Sequence, residues 1–199
     1  MRQPDRVFIP IFLLGCILFP TVSWADSLSD SNISWDTGKV LWDEKRYEDA
    51  LIAFNNSTII NPANHKAWFY KGLTLARLAR YEEAIAAYEV VSTLDPGNAA
   101  AWFNKGTNLA GLNRTDEALV AYDNAIKLDP EYAFPWYNKG NILADSGHYQ
   151  EALDSYNRAV GLDPTFTLAW KAKASMLAKL GKITESVDTY NIAKALEDS

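Results

Sequence analysis

Four of the seven tryptophans in this chain stand 34 residues apart, at Trp68, Trp102, Trp136 and Trp170. Other residues keep the same interval. Gly38, Gly72, Gly106 and Gly140 do so, with Ala174 closing the series, and so do Leu41, Leu75, Leu109, Leu143 and Leu177. Ala50, Ala84, Ala118 and Ala152 follow it with Ser186 last, and Phe54, Tyr88, Tyr122, Tyr156 and Tyr190 make a further set. Pro62, Pro96, Pro130 and Pro164 close the units. A fixed period of this length means one supersecondary unit used repeatedly, each burying its apolar face against the next.

Each unit holds two apolar segments at helical spacing, for example Trp68, Gly72 and Leu75, then Ala84, Tyr88 and Val91. The small residue of each segment allows close backbone approach, and the large ones fill the layers between. Proline lacks a backbone donor and disfavours helix in the residue before it, which predicts that the second helices end at Asn61, Asp95, Asp129 and Asp163. The pattern W-x3-G-x2-L, then A-x3-Y/F, then P resembles the tetratricopeptide repeat, over residues 31–199. The resemblance implies an all-α, right-handed superhelical solenoid of five helix-turn-helix units, 31–64, 65–98, 99–132, 133–166 and 167–199. The end units depart from the pattern. Ser34 holds the first tryptophan position with Trp35 beside it, and Asp198 holds the last proline position. Glu185, Asp188, Asn191 and Glu197 predict a polar final helix.

Ahead of the repeats, Arg2 and Arg6 precede the apolar run Val7 to Phe19, Pro20 breaks it, and Ser23-Trp24-Ala25 precedes Asp26. Residues 1–25 therefore read as a secretory signal peptide cut after Ala25. Two alternatives stay open. Leu13-Leu14-Gly15-Cys16 resembles a lipoprotein box, and residues 7–24 are near the minimum length of a membrane anchor. All three readings place the remainder outside the cytoplasm, because the arginines stay inside. Residues 26–30 read as a short polar linker.

A net charge of -6 argues against nucleic-acid binding, which needs clustered Lys and Arg. Cys16 is the single cysteine, so no disulfide framework or cysteine metal site is expected in the repeats. His65 and His148 are expected beside turns. The acidic pairs Glu48-Asp49, Glu82-Glu83 and Asp116-Glu117 could suggest acid-base catalysis, yet they fall in the first turn of second helices, where they complement the helix dipole. Gly106 and Gly111 have phosphate-loop spacing, but Leu112-Asn113 replaces the required Lys-Ser/Thr. No catalytic, cofactor or metal residues are assigned. Asn32, Asn55, Asn56 and Asn113 each begin a glycosylation sequon.

In the family that the repeats resemble, the first helix of each unit lines a concave face. Carried onto this chain, that face holds Trp35, Phe69, Phe103, Tyr137 and Lys171, then Tyr70, Asn104 and Asn138, with Asn141 and Trp42 further along. Such a groove is aromatic with interspersed amides. Asn104 and Asn138 resemble the asparagines by which some members hold an extended peptide, since an amide both donates and accepts. The lysine set of a carboxylate clamp is absent at Phe69 and Phe103. The same aromatics could instead pack between neighbouring first helices. The expected function is an extracytoplasmic scaffold for a peptide or partner protein. A membrane-held assembly subunit is the second reading, and an enzyme with a site across repeats the third.

Overall fold

The computed structural model describes residues 24–198, and the signal-peptide, lipoprotein-box and anchor readings of residues 1–25 lie outside them except for Trp24 and Ala25, which begin a helix. Ten helices follow one another: α1 (Trp24–Asp43), α2 (Tyr47–Ile60), α3 (His65–Arg77), α4 (Tyr81–Leu94), α5 (Ala99–Gly111), α6 (Thr115–Leu128), α7 (Ala133–Asp145), α8 (Tyr149–Leu162), α9 (Thr167–Lys179) and α10 (Ile183–Glu197). Among the described residues there is no strand, and no helix is long and apolar enough to cross a membrane. Each helix packs on its neighbours in sequence, which makes five stacked hairpins and an all-α solenoid. The first helices of adjacent hairpins also approach one another, whereas the second helices do not. The first helices therefore form the inner, concave face.

The glycines explain how each hairpin closes. A Cβ at Gly38, Gly72, Gly106 or Gly140 would stand 2.6–2.7 Å from the ring of Phe54, Tyr88, Tyr122 or Tyr156. The bare backbone of the first helix is thus the seat of a ring from the second. In the last hairpin Ala174 fills that seat, and Tyr190 is 52% exposed.

Turn chemistry repeats with the same period. Lys45, Ala79, Asn113, Gly147 and Gly181 all have positive φ. The next residue, Arg46, Arg80, Arg114, His148 or Lys182, donates its N–H back to the carbonyl of the periodic leucine at 2.8–2.9 Å. This is the Schellman arrangement, which satisfies carbonyls left free at a helix end. The second helices end where proline requires, with Asn61, Asp95, Asp129 and Asp163 as their C-caps. Tryptophan and proline keep one register for a reason: Trp68, Trp136 and Trp170 donate Nε1–H to the carbonyls of Pro62, Pro130 and Pro164.

Two expectations need correction. Residues 26–30 are helical, as the first part of α1. They contain no Pro or Gly to stop the helix, and Ser31 anchors it through hydrogen bonds with Ser57 at 3.1–3.3 Å. The final helix also departs from a polar cap: Ile183, Val187, Tyr190 and Ile192 are all exposed. The acidic first turns are as expected. Asp49, Glu83 and Glu117 each pair with the arginine three residues before.

Candidate functional site

The candidate groove residues fall into three stretches along the concave face. At the first stretch, Trp35, Trp42, Tyr70 and the buried Phe54 form one ring cluster. Trp35 and Tyr70 meet edge-on at 5.1 Å, and Trp42 and Tyr70 at 5.7 Å. Phe69 leans on Tyr70 and on Tyr88, at 6.1 and 5.8 Å. Lys39 donates to the Tyr70 hydroxyl at 3.0 Å, and this bond holds its ammonium above the ordinary lysine range. These rings engage one another, and the buried Trp42 Nε1 has no acceptor among the described residues. At the far end Lys171 pairs with Glu197, whose hydrogen bond raises the lysine in the same way.

The middle stretch, across α5 to α8, is different. Here Asn138 extends its Nδ2 toward the Tyr122 hydroxyl and Thr107 Oγ1, each at 3.4 Å. Asn141 accepts from the Tyr156 hydroxyl at 2.8 Å. A cavity of about 500 Å³ opens beside them, lined by Thr107, Asn113, Tyr122, Asn138, Asn141 and Asp145 among others. Burial pushes the Tyr156 hydroxyl above the ordinary phenol range and raises Tyr122 too, against the opposing bonds from Thr107 and Asn138. Both stay neutral, so Tyr122 offers the cavity a hydrogen-bonding hydroxyl, and Asp145 is the one acidic group in the lining. No lysine or arginine lines it.

Asn104 does not join this network. Its Nδ2 turns back to the Ala100 carbonyl at 2.8 Å. The reason lies one repeat earlier. Thr107 stands beside Asn138, but the matching residue for Asn104 is the apolar Leu73. As a result the buried Tyr88 hydroxyl, where Tyr122 and Tyr156 have amide partners, has none among the described residues.

A second surface, not expected from the sequence, flanks the amides. α3 and α5 have asparagine N-caps, Asn64 and Asn98, whose side chains accept from Ala67 and Ala101 backbone N–H groups. At the same position α7 and α9 have Tyr132 and Phe166, which make no such bond. Their rings instead build a strip with two candidate residues. Phe103 meets Tyr132 at 5.2 Å and Phe134 at 6.1 Å, Phe134 meets Phe166 at 5.0 Å, and Phe166 meets Tyr137 at 4.8 Å. Phe134 is 48% exposed. The groove across α5 to α9 thus has an aromatic rim at the helix N-termini and an amide-lined cavity further along α7. The loss of two asparagine caps was the available sequence signal, legible only by comparing repeats.

These features define a helical-repeat protein with a concave inner face formed by its first helices. Tetratricopeptide repeat models match residues 36–99 and 133–166, and a TPR repeat model matches residues 109–147. The chain belongs to the tetratricopeptide repeat family. A sequence search finds no match among curated proteins. Among solved structures, a MamA protein superposes with a TM-score of 0.76 at 21% identity, over 85% of this chain and 93% of that one. MamA from Desulfovibrio magneticus RS-1 gives 0.77 at 18% identity, over 85% and 96%. YrrB, described as a TPR protein with an unusual peptide-binding site, gives 0.69 at 17% identity, over 89% and 93%. At these identities the likeness concerns the fold.

Proposed function

We propose that this protein is an extracytoplasmic scaffold that holds an extended segment of a partner protein in its concave groove. The observation that carries the proposal is the juxtaposition on α7 of an amide-lined cavity with an aromatic rim. Asn138 and Asn141 are placed to meet backbone groups of an extended chain, while Phe134 and Phe103 offer a surface for its apolar side chains. Rigid aromatic rings give large contact area at small entropy loss. Because the cavity is lined by neutral groups and Asp145, it suits an internal segment rather than a free carboxyl terminus. The peptide-binding description of YrrB supports the same reading by analogy of fold.

The test is partner retention by purified variants. Changing Asn138 and Asn141 to Ala together with Phe134 to Ala is expected to abolish co-purification of partners from cell envelopes, with helical content unchanged. Full retention by the folded triple variant overturns the groove assignment. The extracytoplasmic part rests on residues 1–25, and intact mass of the native protein checks it. Loss of those residues supports export. An uncut chain, or acyl mass on Cys16, favours the second reading, a membrane-held assembly subunit.

A further inference from the structure

Adjacent hairpins are joined chiefly by one recurring contact, the second helix of one against the first helix of the next. At three of the four internal junctions both sides are covered, while Leu119 and Ile142 between α6 and α7 are half-buried. Leu51, Ile85 and Leu153 on second helices are 4–6% exposed, and Thr74, Asn108 and Met176 on first helices are 0–7% exposed. At the two ends of the described residues the matching positions are open. On α10, Val187 is 53% exposed and lies in a stripe with Ile183 and Tyr190. On α1, Ile33 is 60% and Val40 57% exposed, where the internal repeats bury Ala67, Ala101, Thr74 and Asn108. Repeat arrays ordinarily end on polar faces. Here both ends keep apolar residues.

The residues that meet across internal junctions show what these ends fit. Leu153 and Met176 share one cluster across α8 and α9. Moved along the period, that pair becomes Val187 and Val40. Asn138 bonds the Tyr122 hydroxyl across α6 and α7. The matching pair is Tyr190 and Asp36, a hydroxyl donor and a carboxylate acceptor. Val160 and Phe166 share a cluster across α8 and α9. The matching pair is Lys194 and Asp30, which are exposed and of opposite charge. All three pairs are complementary.

We infer that α10 of one copy stacks on α1 of a second copy, as hairpins stack within one chain. The two surfaces differ, so the contact is heterologous, each assembly keeps a free end, and growth is head to tail. The inference concerns the open faces of α1 and α10 and is independent of what the groove binds.

The test uses the full chain in mild detergent, with Cys16→Ser so that introduced cysteines are the only thiols. Val40→Cys and Val187→Cys are made separately. A disulfide needs Cα atoms within about 7 Å. Mixing the two variants under mild oxidation is expected to give a covalent dimer, while each alone gives none. A Val40→Cys/Val187→Cys double variant is expected to give a ladder rising by one chain at a time. Dimers from either single variant alone, or no product in the mixture, overturn the inference. Sedimentation of the uncrosslinked chain is a second measure. Val187→Glu is expected to raise the concentration needed for association by about tenfold or more. Monomer at every concentration in the parent chain, or unchanged association in the variant, overturns it as well.

Discussion

At the scale of single residues, the same position in successive repeats acts as an internal control. Gly106 seats the Tyr122 ring, and an added Cβ would lie 2.7 Å from it. Gly106→Ala is expected to lose about 1–3 kcal/mol, the usual range for overpacking, read as a shift of the denaturant midpoint. The tyrosine hydroxyls separate in the same way. Tyr156 donates to Asn141, so Tyr156→Phe is expected to lose about 1 kcal/mol. The buried Tyr88 hydroxyl lacks a hydrogen-bond partner among the described residues, so Tyr88→Phe is expected to be neutral or stabilising. Equal losses at both positions would contradict these hydrogen-bond assignments. Ala79 sits at φ 56°, where Gly147 and Gly181 stand in later turns. Ala79→Gly is expected to gain up to about 1 kcal/mol in the same assay, since the left-handed region penalises a Cβ.

At the scale of elements, the first helices carry both the stacking and the candidate site, and the two demands diverge at their N-caps. Asn64 and Asn98 cap α3 and α5, whereas Tyr132 and Phe166 leave α7 and α9 without a side-chain cap and extend the aromatic rim. Tyr132→Asn is expected to stabilise the fold by about 1 kcal/mol while weakening partner binding. Thermal unfolding and a binding assay on one sample separate the two effects, and a variant that gains neither stability nor loses affinity would remove the rim from the account. The hairpins themselves were legible from the sequence. Their determinants, glycine against ring in four hairpins and tryptophan against the proline carbonyl in three, recur at one interval, so the period exposes them. The site was legible only in part. Asn104 and Asn138 are the same residue type at the same position, yet Leu73 beside one and Thr107 beside the other send their amides to different partners. The aromatics split likewise. Trp35, Trp42 and Tyr70 pack among themselves, while Phe103 and Tyr137 join the strip that includes the exposed Phe134.

At the scale of the molecule, stability is the sum of hairpins and their junctions, so the placement of function along the solenoid matters. The middle and later repeats hold the cavity and rim, and the two end helices hold apolar residues that internal repeats would cover. The central claim is that partners enter through the concave face of α5 and α7. A photo-crosslinking residue placed at Thr107, and separately at Asp154 on the second helix α8, tests it most directly in cells. One discrete partner adduct is expected from position 107 and none from 154. An adduct from 154 with none from 107 would contradict it.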